Sequence, residues 1–286
     1  MRLSIETMLD YQLTAPADLL LAVEVAQMPD QILVSDQLTV QGVEALTPVA
    51  AEEALGRRTW THAEGRVTVH YRAEVDVDRP APSLGGLKID ENRHLPALVV
   101  PYLFPSRYCE ADRFVSLVER EFGDLSGGDQ VRAIAAWIGQ HVDYVPGASN
   151  ATTTAADTFI ARRGVCRDFA HLMIAMTRAA GIPARMVAAY AWRLEPQDFH
   201  AVVEVWLEGR WHLVDATNLA PCEGIVRIGV GRDATDISFL TIFGEAQLIA
   251  QRVDVRQGVA VAGNKWMPRE DYKVPSLTFA DLHGKP

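Results

Sequence analysis

Gly164-Val165-Cys166-Arg167-Asp168-Phe169-Ala170-His171-Leu172 reads as the start of a helix with a cysteine at its head. The apolar spacing predicts a helix from about Cys166 to Ala180, with Gly181 as its C′ residue and Pro183 preventing continuation. Unpaired backbone N–H groups and the positive end of the helix dipole stabilise a thiolate at that position. The thiolate is the nucleophilic form of cysteine, and the same N–H groups can hold a developing oxyanion. A buried, inert cysteine is the plainer reading, because apolar residues follow and free cysteines are commonly buried.

A thiolate acyl-transfer site needs a base, and the base needs an orienting acceptor. His200 opens the strand His200–Leu207, in which Ala201, Val203, Val205 and Leu207 face one way and His200, Val202, Glu204 and Trp206 the other. His171 lies on the Cys166 helix but about 140° round from it, a poor position for a base. His212 falls in a tight hairpin and reads as surface. Asp215 follows across the hairpin Glu208-Gly209-Arg210, on a face shared with Trp211 and Leu213. A carboxylate there can fix the tautomer of His200 and stabilise its imidazolium form. Cys166, His200 and Asp215, on helix, strand and strand, are thus candidates for nucleophile, base and orienter.

Outward from this segment the chain reads as α+β. Up to about residue 100 the patterns are β: Leu3, Ile5 and Thr7, then Ile32 to Val40, then Val67, Val69, Tyr71, Ala73, Val75 and Val77. Short strands between Pro, Gly and Asp turns predict an antiparallel β-sandwich-like domain. Pro96 to Pro105 reads as a linker. Amphipathic helices follow on Phe114, Leu117, Val118 and Phe122, then on Val131, Ile134, Ile138 and Val142. Thr154 and Asp157 open a short third helix. Strands are expected at Ala184–Trp192, His200–Leu207, Arg210–Asp215 and Ile225–Val230, with a last one within Glu245–Gln257. The expected division is a β-rich domain over 1–100, a linker over 101–109, a catalytic domain over 110–262 and a tail over 263–286.

The 286 residues are 49% apolar and 22% charged, which excludes a disordered chain, a collagen-like repeat or a coiled-coil rod. The net charge of −10 disfavours nucleic acid and anionic membrane surfaces as partners. Cys109, Cys166 and Cys222 are too few and too scattered for a disulfide framework or a zinc ribbon. With no calcium loop and no Gly-rich phosphate loop in the sequence, no metal or cofactor is expected. No secretory signal pattern and no 18-residue apolar run is found, so a cytoplasmic location with reduced thiols is expected. Other residues have mainly structural readings: Asp168 as a cap of first-turn N–H groups, Arg185 in a salt bridge, Trp206 and Trp211 in the core. Tyr144 and Tyr190 are either cleft-lining substrate contacts or buried tyrosines with bonded hydroxyls.

Several blocks together resemble the bacterial transglutaminase-like core. They are Tyr144-Val145-Pro146-Gly147, Thr152-Thr153-Thr154-Ala155-Ala156-Asp157, Arg163-Gly164-Val165-Cys166-Arg167-Asp168 and Gly181-Ile182-Pro183-Ala184-Arg185. Phe199-His200-Ala201 through Glu204-Val205, Asp215-Ala216-Thr217 and Gly231-Arg232-Asp233-Ala234-Thr235-Asp236 continue the likeness. It covers about residues 110 to 245. It implies a papain-like cysteine fold with Cys166, His200 and Asp215 as the triad, in a family of transglutaminases, amide hydrolases, peptidases and inactive members. Ala189-Tyr190 stands where the family usually has Gly-Tyr, and Asp215-Ala216-Thr217 where it usually has Asp-Pro-Thr. The expected function is thiolate-mediated acyl transfer on a peptide or protein substrate, with hydrolysis ahead of amine cross-linking. The alternative is a non-catalytic peptide- or protein-binding protein that keeps the fold.

Overall fold

The computed structural model describes residues 1–81, 83–257 and 276–278. Alternating apolar residues build the first part. Strands β1 (Arg2–Leu13), β2 (Ala17–Leu21), β3 (Gln31–Val43), β4 (Thr47–Ala50) and β5 (Arg57–Val77) are all antiparallel to their neighbours. The long strand β5 is the spine. β1 and β3 pair with opposite edges of its second half, and β2 and β4 with its first. Val67, Val69, Tyr71, Ala73, Val75 and Val77 are its buried face, as their alternation requires.

Helices α1 (Val115–Phe122), α2 (Gly127–His141) and α3 (Ala155–Ala161) follow, with a two-residue parallel pair made of β6 (Asp143–Tyr144) and β7 (Arg163–Gly164). Thr154 caps α3, accepting the N–H of Asp157, whose carboxylate accepts the N–H of Thr154 in return. Next comes α4 (Cys166–Ala179), buried over nearly its whole length from Asp168. Strands β8 (Ala184–Ala191), β9 (His200–Leu207), β10 (Arg210–Val214) and β11 (Ile225–Gly231) form an antiparallel sheet in the order β10-β9-β8-β11. Ala201, Val203, Val205 and Leu207 pack with α4 in one core, on the face the alternation assigns to them.

The chain then returns to the first sheet. After α5 (Ala234–Ile237), strand β12 (Leu240–Ile242) pairs with β2, and β13 (Ala246–Gln257) runs the length of β1. β14 (Ser276–Thr278) pairs with β3. The strand expected within 245–257 therefore exists, but it sits beside β1 and not in the sheet that carries His200. Val253 and Val255 are buried with Leu3 and Ile5, and β13 covers an edge of β1 that would otherwise expose unpaired backbone groups. The remaining residues of the expected tail lie outside the described ones.

The two sheets meet over β8. On one face of β8, Ala184 and Met186 belong to the core around α4, whereas Ala188 and Tyr190 belong to the core of the first sheet. The opposite face carries an ion cluster. Arg185 pairs with Glu204 and Glu53, and Arg227 pairs with Glu204 and Asp30. Arg185 is thus a structural cation, seated 4.1 Å over the ring of Trp211. Among the described residues, no helix is long and apolar enough to cross a membrane.

Candidate active site

The β6–β7 pair and the start of α4 set the position of Cys166. Val145 N–H donates to the Gly164 carbonyl at 2.9 Å, which brings Tyr144 alongside the turn before the helix. Asp168, fully buried, accepts the Val165 N–H at 2.8 Å and also the Ser149 hydroxyl, and it pairs with Arg167. Gly164 is required there, because a Cβ on it would stand 2.6 Å from the Asp168 Cβ. Cys166 is half-buried, the first residue of α4.

His200 opens β9 and Asp215 stands one residue beyond the end of β10. His200 Nε2–H donates to Asp215 Oδ2 at 2.9 Å, with both side chains almost wholly buried. The carboxylate is itself held, accepting the Thr217 N–H at 2.9 Å and hydroxyl at 2.7 Å, and the Ala220 N–H at 3.1 Å. Burial by itself would lower the His200 pKa. The hydrogen bond to Asp215, and the negative charge of Asp215 and Cys166, outweigh it and raise the pKa to about 9. Burial likewise opposes ionisation of Asp215, but the imidazolium of His200 and the bonds from Thr217 hold its carboxyl below the usual range. His200 Nδ1 is buried without a hydrogen-bond partner.

Tyr144 completes the geometry around the sulfur. Its phenol lies close enough to Cys166 for the two groups to interact electrostatically. Burial first, and then the negative charge of Cys166, push the Tyr144 phenol up to about 12. The other two cysteines are different. Burial raises the thiol of Cys109 far above its ordinary value and that of Cys222 to about 11.

A cleft of about 390 Å³ opens at Cys166 and His200, at the seam on β8 where the two cores meet. Met186, Ala188 and Ala201 line it, with Phe199, Phe239 and Ile237.

Known proteins resemble this chain in fold. A solved structure from Cytophaga hutchinsonii, described as a "putative cysteine protease", is 35% identical, with 90% of each chain covered and a TM-score of 0.83. The model of the transglutaminase-like superfamily matches residues 117–216, which hold Cys166, His200 and Asp215. This chain belongs to the transglutaminase-like superfamily. An uncharacterized protein of Mycobacterium leprae is 26% identical over 71% of this chain and 66% of its own length. Human kyphoscoliosis peptidase is 34% identical over 37% of this chain and 18% of its own. The chain thus spans just under two thirds of the mycobacterial relative and less than a fifth of the human one.

In this transglutaminase-like chain the residues read from sequence fall in three places. Cys166 and His200 line the cleft, with Asp215 bonded to His200 and Tyr144 beside Cys166. Tyr190 does not, and its reading as a substrate contact is corrected. It is fully buried, donates its hydroxyl to the Val23 carbonyl at 2.6 Å and stacks on Tyr71 in the first sheet's core. A tyrosine at that point of β8 faces the first sheet, because the seam comes before it. His171 is buried away from the thiol, accepting the Ala234 N–H at 3.2 Å and stacking with Tyr108. Burial lowers it to about 4, which keeps it neutral. Phe199 and Phe239, which sequence reasoning missed, wall the cleft. Phe199 carried one signal, its place just before His200. Phe239 carried none, since it arrives from the chain's return to the first sheet.

Proposed function

We propose that the protein is a thiol-dependent acyl-transfer enzyme that hydrolyses a peptide or amide bond. The observation that carries this reading is the buried His200–Asp215 pair at 2.9 Å, set beside a cysteine at the head of α4. Cys166 Sγ attacks the carbonyl carbon, and the C–S bond forms as the carbonyl π electrons move to oxygen. His200, holding the thiol proton as imidazolium, passes it to the departing amine as the C–N bond breaks. Asp215 holds the ring and offsets its positive charge. The Cys166 N–H donates to the developing oxyanion, with the neighbouring Tyr144 hydroxyl as the second donor. Water, deprotonated by neutral His200, then attacks the thioester and restores the thiol.

Mass spectrometry of the protein after exposure to a peptide library tests this. The expected result is an acyl adduct on Cys166 that decays in water and is absent from Cys166→Ala. Added primary amine that captures most of the acyl group would move the assignment to cross-linking. Peptides bound without adduct or turnover would favour a non-catalytic binding protein.

A further inference from the structure

The cleft beside Cys166 is built for bulk and not for charge. Phe199 and Phe239 form one wall, their rings parallel within 7° and 4.3 Å apart, and both are half-buried. The floor is low because Ala188 and Ala201 face each other across β8 and β9 in register. Met186, Ile237 and Tyr108 also line the cleft.

The polar groups there are already engaged. Among the described residues lining the cleft, the basic side chains are Arg167 and His200, and none is acidic. Arg167 binds the Asn150 carbonyl at 2.7 Å, Ser149 Oγ at 3.1 Å and Asp168 at 3.1 Å. His200 is held by Asp215, and the Ser238 hydroxyl donates to the Leu240 carbonyl at 2.9 Å. A carboxamide or charged group entering the cleft would lose water and find few free partners. An apolar ring would cover the exposed faces of Phe199 and Phe239 and gain from leaving water.

We propose that this cleft is a subsite for a large apolar or aromatic side chain, so that the substrate is a peptide whose reacting amide adjoins such a residue. The inference rests on Cys166 being the nucleophile, and the test separates the two. N-benzyl iodoacetamide, plain iodoacetamide and the glutamine-like N-(2-carbamoylethyl) iodoacetamide are reacted with the full chain. Labelling is followed at each cysteine by mass spectrometry and divided by the rate of each reagent with free cysteine. The expected result is a benzyl preference at Cys166 of about tenfold or more over both other reagents. That preference should fall several-fold in Ala188→Leu, which fills the floor, and in Phe239→Ala, which removes half of the wall. Phe239 is half-buried, so its variant keeps the test decisive where Ala188→Leu fails to fold. Equal normalised rates at a labelled Cys166 overturn the subsite and leave the nucleophile standing. A benzyl preference unchanged in Phe239→Ala also overturns it. No labelling of Cys166 by any of the three reagents removes the nucleophile, and the subsite with it.

Discussion

At the scale of single residues, the chemistry turns on what His200 holds. Its pKa near 9 means that the imidazolium persists through neutral pH and is lost as pH rises through about 9. On the proposed mechanism kcat/KM should therefore fall on the alkaline side with a midpoint near that value, since the leaving amine then lacks its proton donor. Asp215→Asn removes the charge that supports the imidazolium. It should lower kcat by about 10²- to 10⁴-fold and move the alkaline limb to lower pH. A pH–rate profile of both proteins checks this, and an unmoved limb would take Asp215 out of the role. The thiols allow a second prediction. Iodoacetamide at neutral pH should label Cys166 well before Cys109, which is wholly buried, and Cys222, whose thiol lies near 11. His200→Ala should slow the labelling of Cys166 by about tenfold or more, because the cationic partner of the thiolate is gone. Peptide mapping over time gives the three rates, and equal rates at Cys166 in both proteins would contradict the pairing. These residues were legible in the sequence because each stands at an element end whose signals are local: a glycine turn, a strand start, a hairpin. Tyr190 was not, because nothing local says which of two cores a β8 side chain enters.

At the scale of elements, the start of α4 depends on Asp168. Its carboxylate gathers the Val165 N–H, the Ser149 hydroxyl and the Arg167 guanidinium in a fully buried place. Asp168→Ala leaves those groups without their acceptor. The variant should be destabilised by about 1–3 kcal/mol, the usual cost of stranding a buried polar group. Urea unfolding measures the change. A midpoint within error of wild type would mean that water replaces the carboxylate. The same substitution frees the 149–151 segment, so the labelling rate at Cys166 should change as well. This element was readable from its helical period and its glycine stops. The β13 strand shows the complementary case. Its alternation marked it as a strand, yet pairing with β1 brings together residues some 250 positions apart, and no local pattern encodes a partner at that distance.

At the scale of the whole molecule, the two sheets are joined by the ion cluster beneath β8 and β9 as well as by apolar packing. Glu204 is fully buried between Arg185 and Arg227, which reach on to Glu53 and Asp30 in the first part of the chain. Burial alone would raise the Glu204 pKa, but the two guanidiniums more than offset it and hold the carboxyl low. The sign of the pH effect follows. A carboxyl with a depressed folded pKa contributes stability that is present above its unfolded value, near 4.5, and is lost as pH falls through the lower folded one. His171 acts in a different window. It is kept neutral in the fold, with a pKa near 4 against 6.5 when free, so stability is lost as pH falls between those two values. Acid unfolding should therefore begin near pH 6 and steepen below about 4.5. Glu204→Gln removes the charge and leaves two buried arginines facing each other. It should cost about 3–5 kcal/mol at pH 7, the range for breaking one side of a buried pair. It should also flatten the part of the acid transition below about 4.5 while leaving the His171 part in place. Unfolding followed by circular dichroism from pH 7 to 3 on both proteins tests the two windows together. A Glu204→Gln curve that keeps the wild-type slope below pH 4.5 would show that the cluster does not carry the acid sensitivity.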